Sequence, residues 1–320
     1  MSPVDTSVVV PVFRDFQDLE KCLEALNAQT VRERLQIVVS LDGEHTLPDG
    51  LAKMTDLVVE GPHAGPAAAR NRGWRASGGS LVLFTDSDCI PRNDWAEEMT
   101  VPLKADADAV KGVYTGGGDA CIQRLAQIEF LERYSLLSKA EKIDMIDTYS
   151  AGYRREVLES TGGFDESFPF PDHEDVDLSY RMAKAGCRLR FVPSAGVRHT
   201  HRDTWWGYSR MKFSRGRWRV RVLRRFPEMI GGGSYTPLSL KVQIGLCALL
   251  PLVIALIPFQ PLLSAAWAAA YILAALPLFF IALRTDPAVA IMVPAFCLAR
   301  GCALTAGLMR GLMVKERDEG

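Results

Sequence analysis

Up to about Ala109, short aliphatic runs alternate with stretches of helical spacing. The runs are Ser7 to Phe13, Leu35 to Leu41, Leu57 to Glu60 and Leu81 to Thr85. Such alternation predicts parallel strands joined by crossover helices, a doubly wound α/β sheet. Between the first two runs, Leu19, Cys22, Leu23 and Leu26 recur at helical spacing and give one apolar face. A second helix is predicted to begin near Gly65-Pro66, since Pro suits the first helical position, and to end before Gly78-Gly79. With 320 residues, 48% of them hydrophobic, the chain can supply a substantial core.

Further along, a helix is expected around Cys121 to Lys142. Asp172 is a candidate cap for a helix from about His173 to Ala185, with Gly186 in the stop position. Two short strands, Arg188 to Val192 and Ala195 to Arg198, should follow. Beyond Leu238 the character changes. Val242 to Phe259 and Pro261 to Leu283 carry no charge, and each is long enough for a hydrocarbon core of ~30 Å. They are expected to form a spanning hairpin with Gln260 and Pro261 at its junction. Arg284, Arg300, Arg310, Lys315 and Arg317 follow the second span and further cations precede the first, which puts both ends in the cytosol. Arg300 lies near the middle of Pro287 to Met313, and a charge there is costly in hydrocarbon, so a broken or interfacial helix is expected rather than a third span.

Met1-Ser2-Pro3 leads almost directly into the first apolar run without the basic region and apolar stretch of a signal peptide, so the α/β part is expected in the cytosol. The seven cysteines form no C-x-x-C pair and read as reduced, mostly buried residues. The net charge of -1 disfavours a chain that coats nucleic acid.

In open α/β sheets ligands bind outside the carboxyl ends of the strands. Three runs end in polar residues there: Arg14-Asp15, Asp42-Gly43-Glu44 and Asp86-Ser87-Asp88. Two carboxylates one residue apart suit a hard divalent cation shared with a diphosphate. By residue type alone, Asp-Ser-Asp fits a turn equally well. The segment Gly61 to Gly73 places basic residues at a helix start, a site for phosphate oxygens or, read by itself, an ordinary small-residue packing helix.

Taken in order, Pro11-Val12-Phe13-Arg14, Asp42, Ala69-Arg70-Asn71-Arg72-Gly73 and Asp86-Ser87-Asp88 resemble the family 2 glycosyltransferases of the GT-A fold, over roughly residues 5 to 225. The resemblance implies a mainly parallel GT-A sheet with a Rossmann-like nucleotide-binding half. It implies donor binding by Pro11, Phe13, Arg14, Asp42, Arg70, Asp86 and Asp88, with Asp42 on the nucleoside, Asp86 facing the nucleotide sugar and Asp88 as principal metal ligand. Gly162-Gly163-Phe164-Asp165 and His173-Glu174-Asp175-Val176-Asp177-Leu178 resemble the acceptor-side signature, which makes Asp175 the catalytic base and gives Glu174 a positioning role. The same acids would also suit the positive end of a helix. Val197-Arg198-His199 resembles the position where a His completes the site of a divalent metal, Mn²⁺ or Mg²⁺, and that context favours His199 over His201. Ser214-Arg215-Gly216-Arg217-Trp218 partly resembles the Gln-x-x-Arg-Trp signature of processive synthases, with Ser214 in place of Gln. Gly152, Arg217 and Trp218 are candidates for contact with acceptor or diphosphate.

From Arg198 to Arg225 there are ten Arg or Lys and one acid, interleaved with Trp205, Trp206, Tyr208, Phe213 and Trp218. Directly before two apolar spans, this pattern favours anionic headgroups over nucleic acid. The expected layout is a glycosyltransferase domain over 1–225, with a donor half to about 110, an acceptor half over 111–225 and a basic interfacial segment over 198–225. A linker at 226–240, a transmembrane hairpin at 241–283 and an interfacial or third membrane helix with a polar tail at 284–320 complete it. The expected activity is inverting transfer from a nucleotide-diphosphate sugar to a lipid-linked saccharide acceptor, for cell-surface polysaccharide or glycolipid, by a multi-pass protein of the cytoplasmic (inner) membrane. The alternatives are transfer to a polyprenyl phosphate, a processive synthase, and a catalytically silent membrane scaffold.

Overall fold

The computed structural model describes residues 4–14, 16–43, 45–168, 170, 172–230 and 233–314. Asp15, Glu44, Lys315 and Arg317 lie outside the described residues. The chain forms two compact units, one from residues 1–116 and 137–200, the other from 117–136 and 201–320. In order run β1 (Thr6–Val12), α1 (Gln17–Asn27), β2 (Leu35–Asp42), α2 (Asp49–Ala52), β3 (Leu57–Gly61), α3 (Pro66–Ala76), β4 (Leu81–Phe84), β5 (Cys89–Pro91), α4 (Trp95–Ala105) and β6 (Ala109–Gly116). Then come α5 (Cys121–Leu137), β7 (Ala151–Arg154), α6 (Arg155–Thr161), α7 (Glu174–Lys184), β8 (Leu189–His199), α8 (Trp205–Arg225), α9 (Leu238–Leu256), α10 (Pro261–Thr285), α11 (Pro287–Ala290) and α12 (Val293–Met313).

In the first unit the eight strands form one sheet in the order β3-β2-β1-β4-β7-β6-β8-β5. The first four strands are parallel, as the aliphatic runs predicted, and Val8, Val9 and Val10 at their centre are fully buried. The other half is mixed, with β7 antiparallel to β4 and β6, and β5 antiparallel to β8. After β3 the chain crosses to the far side of β1, so a crevice opens at the carboxyl ends of β1 and β4. Pro11 is tolerated in this central strand for a local reason. The β4 ladder ends at Val9↔Phe84, and Val9 O accepts from Thr85 N at 3.4 Å. Pro11, two residues on, points the same way past the end of that ladder, where a missing N–H costs no ladder bond.

Several expected boundaries shift. The two short strands after Arg188 are one strand, β8, whose ladder with β6 slips between Lys111 and Val113 and between Tyr114 and Gly116. Bulges bend the strand where the sequence suggested a break. Asp172 does not cap α7. The capping position is His173, in the left-handed region at φ 74°, with no side-chain cap bond, and Glu174, Asp175 and Asp177 supply negative charge to the first turn. α5 stops at Leu137, where Ala140 N turns back onto Leu137 O at 3.2 Å, short of the expected Lys142.

In the second unit, α9 and α10 are the two helices among the described residues with the length and composition to cross a membrane. They leave residues such as Leu252, Ile254, Leu262 and Leu273 exposed. α9 ends at Leu256, so the junction runs from Ile257 to Gln260, longer than the Gln260-Pro261 step expected. The segment after Pro287 is a broken helix, interrupted at Ile291 and Met292. Arg300 is fully buried in protein, 3.7 Å from Glu129 and 3.8 Å from Glu132, and its guanidinium donates to Gln243 Oε1 at 2.8 Å. α8 groups by contact with these C-terminal helices, whereas the sequence layout placed it in a domain ending at residue 225. α8 is packed into this unit. Its Lys212 is buried and donates to Glu129 Oε1 at 2.8 Å, its Trp218 is buried, and Gly307 of α12 lies so close that a Cβ there would meet Phe213 O at 2.1 Å.

Glu129 is therefore the anionic hub of this unit, taking Lys212, Arg133 and Arg300 on one oxygen and the Tyr208 hydroxyl on the other at 2.6 Å. Replacing Glu129 by Gln keeps the shape and strands buried cations, which costs about 3–5 kcal/mol. The thermal midpoint of the detergent-purified chain should fall by several degrees or more; an unchanged midpoint would contradict the hub.

Candidate active site

The site is built at the carboxyl ends of β1, β2 and β4, and α3 braces it. Each residue of Arg70-Asn71-Arg72-Gly73 has a defined partner. Arg72 donates to Leu41 O at the end of β2 (2.6 Å), and Asn71 exchanges hydrogen bonds with the backbone of Phe164 (2.8 and 3.0 Å), pinning the Gly162-Gly163-Phe164 turn. Gly73 lets α3 approach β1, where a Cβ would meet Val9 Cγ1 at 2.4 Å.

Arg70 makes the central contact. Its guanidinium, 3% exposed, reaches Glu174 Oε1 at 2.7 Å with one nitrogen and Asp86 Oδ1 at 2.9 Å with another. A residue after β4 and the first residue of α7 are thus held on one buried cation. Burial pushes the Glu174 carboxyl up against the opposing pull of Arg70, and its second oxygen has no hydrogen-bond partner among the described residues. Burial works against the charge on Arg70 too, but Asp86 and Glu174 outweigh it and keep the guanidinium charged. Next to Glu174, Asp175 is half-buried at the start of α7, and its Oδ1 accepts from Val176 N at 2.8 Å.

Asp88 and His199 meet because of strand pairing. Cys89, directly after Asp88, pairs with His199 in the β5–β8 ladder, and His199 Nδ1 lies 3.5 Å from Asp88 Oδ1. Burial disfavours charge on both groups, but each supports the other's charged form, so the Asp88 carboxyl falls below its ordinary range and the His199 imidazole is pushed up. Ligand atoms of Asp88, Cys89 and His199 lie within 4.8 Å of one another. Burial pushes the Cys89 thiol well up, so it stays protonated and donates to Asp88 at 3.7 Å. An accessible carboxylate, half exposed, beside an imidazole fits a divalent cation, and Asp86 adds a carboxylate that is one-third exposed.

At the β2 end, Asp42 is buried and its oxygens are occupied. It accepts from Ala64 N (2.8 Å), Gly65 N (3.1 and 3.2 Å) and the His63 ring at 2.8 Å. Its observed contacts are therefore with the loop that opens α3. His63 in turn stacks on Phe13 (4.3 Å between centroids), and the Arg14 guanidinium lies 4.9 Å over the same Phe13 ring, with Arg14 held at φ 62°. His63 lies within the Gly61 to Gly73 segment but is not among the residues singled out from the sequence; an aromatic residue just before a helix start was the available signal.

Gly152 sits in β7, where a Cβ would meet Leu83 and Val110 at 2.7 and 2.8 Å, so close packing alone requires a glycine there. Arg217 and Trp218 belong to α8 of the second unit, with the guanidinium 5.4 Å over the indole. His201 is buried there, against Gln127 Oε1 at 3.0 Å.

A family model described as glycosyl transferase family 2 matches residues 7–162, and one described as glycosyl transferase family group 2 matches 145–282. The pre-mycofactocin glycosyltransferase of Mycobacterium tuberculosis is 29% identical over 79% of this chain, and glycosyltransferase AglE of Haloferax volcanii 27% over 58%. The chain spans 56% and 64% of those relatives' own lengths. A mannosyltransferase from Pyrobaculum calidifontis, solved with GDP-Man and Mn²⁺, superposes with a TM-score of 0.60 at 22% identity, covering 99% of this chain and 89% of that one, which shows a shared fold. The two family models together match residues 7–282, and the chain belongs to the family 2 glycosyltransferases.

Proposed function

We propose that this protein moves a sugar from a nucleotide-diphosphate donor to a hydroxyl of a lipid-linked saccharide, with inversion at the anomeric carbon. The observation that carries this reading is the Arg70 bridge between Asp86 and Glu174, which ties the donor-side loop to the helix that begins Glu174-Asp175. The Pyrobaculum relative of this fold binds a nucleotide sugar, which supports a donor of that class here.

In the proposed step, the acceptor oxygen bonds to the anomeric carbon as the bond from that carbon to the diphosphate breaks, and Asp175 takes the acceptor proton. Asp175 lies in the first turn of α7, the end of the helix towards which the backbone N–H groups point. Glu174 holds the start of the helix through Arg70, and Asp86 on the same guanidinium is kept in position beside the donor sugar. Asp88 and His199 would hold a divalent cation, which when bound neutralises the departing diphosphate. The Phe13–His63 stack, ordered through Asp42, offers an aromatic face to the nucleoside. The apolar α9 and α10 support membrane association, and with it an acceptor carried on a lipid.

Asp175→Asn should keep donor binding, measured by calorimetry, and lower transfer about 10²- to 10⁴-fold; wild-type turnover would refute the base assignment. Stripping divalent ions from membranes with a chelator should abolish turnover across a nucleotide-sugar panel, and Mn²⁺ should restore it. Full activity in excess chelator would remove the metal from the proposal.

A further inference from the structure

Behind His199 the first unit holds a column of stacked rings with no counterpart in the residues considered so far. The Tyr114 ring stacks with the His199 imidazole, 4.9 Å between centroids at 24°, and with the Tyr149 ring, 3.6 Å between centroids at 14°. Lys111 closes the far end, its ammonium 4.7 Å over the Tyr149 ring and 3.2 Å from that hydroxyl, and it is ion-paired with Asp147. Lys111, Tyr114 and Tyr149 are all buried. The near end is Asp88, 3.5 Å from His199.

We propose that Tyr114 is a positioning residue for the metal site: its ring fixes the plane of the His199 imidazole so that a divalent cation can bind between His199 and Asp88. This rests on the metal reading above. A hydrogen bond to one imidazole nitrogen fixes a direction and leaves the ring free to turn about it, whereas a stacked face fixes the plane. The column is itself anchored. Tyr114 pairs with Val197 in the β6–β8 ladder, two residues before His199, and the Tyr114–Gly116 bulge re-aims the strand at this level. Tyr149 is held from the backbone, where its carbonyl accepts from Thr85 Oγ1 at 3.0 Å, the residue before Asp86. Stacking of the ring faces carries the effect, not the Tyr114 hydroxyl.

The test is Mn²⁺ affinity of the full-length, detergent-purified chain, read as free Mn²⁺ by electron paramagnetic resonance, with Mg²⁺ as competitor and circular dichroism to verify folding. Tyr114→Phe keeps the ring and should keep wild-type affinity. Tyr114→Leu and Tyr114→Met remove it and should weaken Mn²⁺ binding about tenfold, the usual scale for a group that orients a metal ligand. Mg²⁺ should weaken less, because it relies on carboxylate oxygen more than imidazole, a discrimination that general loosening of the fold would not produce. Folded Leu or Met variants with wild-type affinity, or a Phe variant that loses affinity, would overturn the assignment of Tyr114. A wild-type chain that binds no Mn²⁺ would instead overturn the metal reading on which it rests.

Discussion

One buried guanidinium organises the catalytic unit. Arg70 is almost wholly withdrawn from water, so its charge is sustained chiefly by the two carboxylates it holds, and either alone would leave more of its donor fork unsatisfied. Those carboxylates come from positions far apart in the chain, Asp86 after β4 and Glu174 at the start of α7. The pair of ion contacts makes the position of α7, and with it Asp175, depend on the loop that carries Asp88. Asn71 and Arg72, the next residues of α3, extend the same bracing to the Phe164 turn and the end of β2.

Much of this was legible from residue order. Aliphatic runs that must be buried on both faces announce parallel strands, and β1 to β4 appear within a residue or so of their expected bounds. Polar residues placed after such runs fall at the crevice by topology alone, which is why Asp42, Asp86 and Asp88 could be singled out. Contacts between distant segments were less legible. Nothing local in Arg188 to His199 distinguishes two short strands from one bulged strand, since the bulges arise from pairing with β6. Asp42 is a related case: its position was readable, but the N–H groups of Ala64 and Gly65 that occupy it belong to the loop between β3 and α3, beyond a whole intervening strand. Tyr114 and Tyr149 carried no motif, and only the β6–β8 ladder brings their column to His199.

The C-terminal region shows the same division. Composition identified α9 and α10, which have the length and composition to cross a membrane and leave aliphatic residues exposed. It also flagged Arg300 as a charge that hydrocarbon would not hold. Where that charge goes could not be read, because Glu129 and Glu132 lie on α5, well before the apolar helices. The same distant partner explains why Lys212, which reads as one of many surface cations in α8, is buried.

The most direct test of the central bridge is substitution of Arg70 by Lys, which retains the charge but cannot span two carboxylates with a planar fork. The measurement is sugar transfer from the best donor of a nucleotide-sugar panel, on protein whose folding is verified by circular dichroism. A folded Arg70→Lys protein should lose transfer by about a hundredfold or more, the scale set by a small misplacement of reacting groups. Wild-type turnover in that variant would contradict the account.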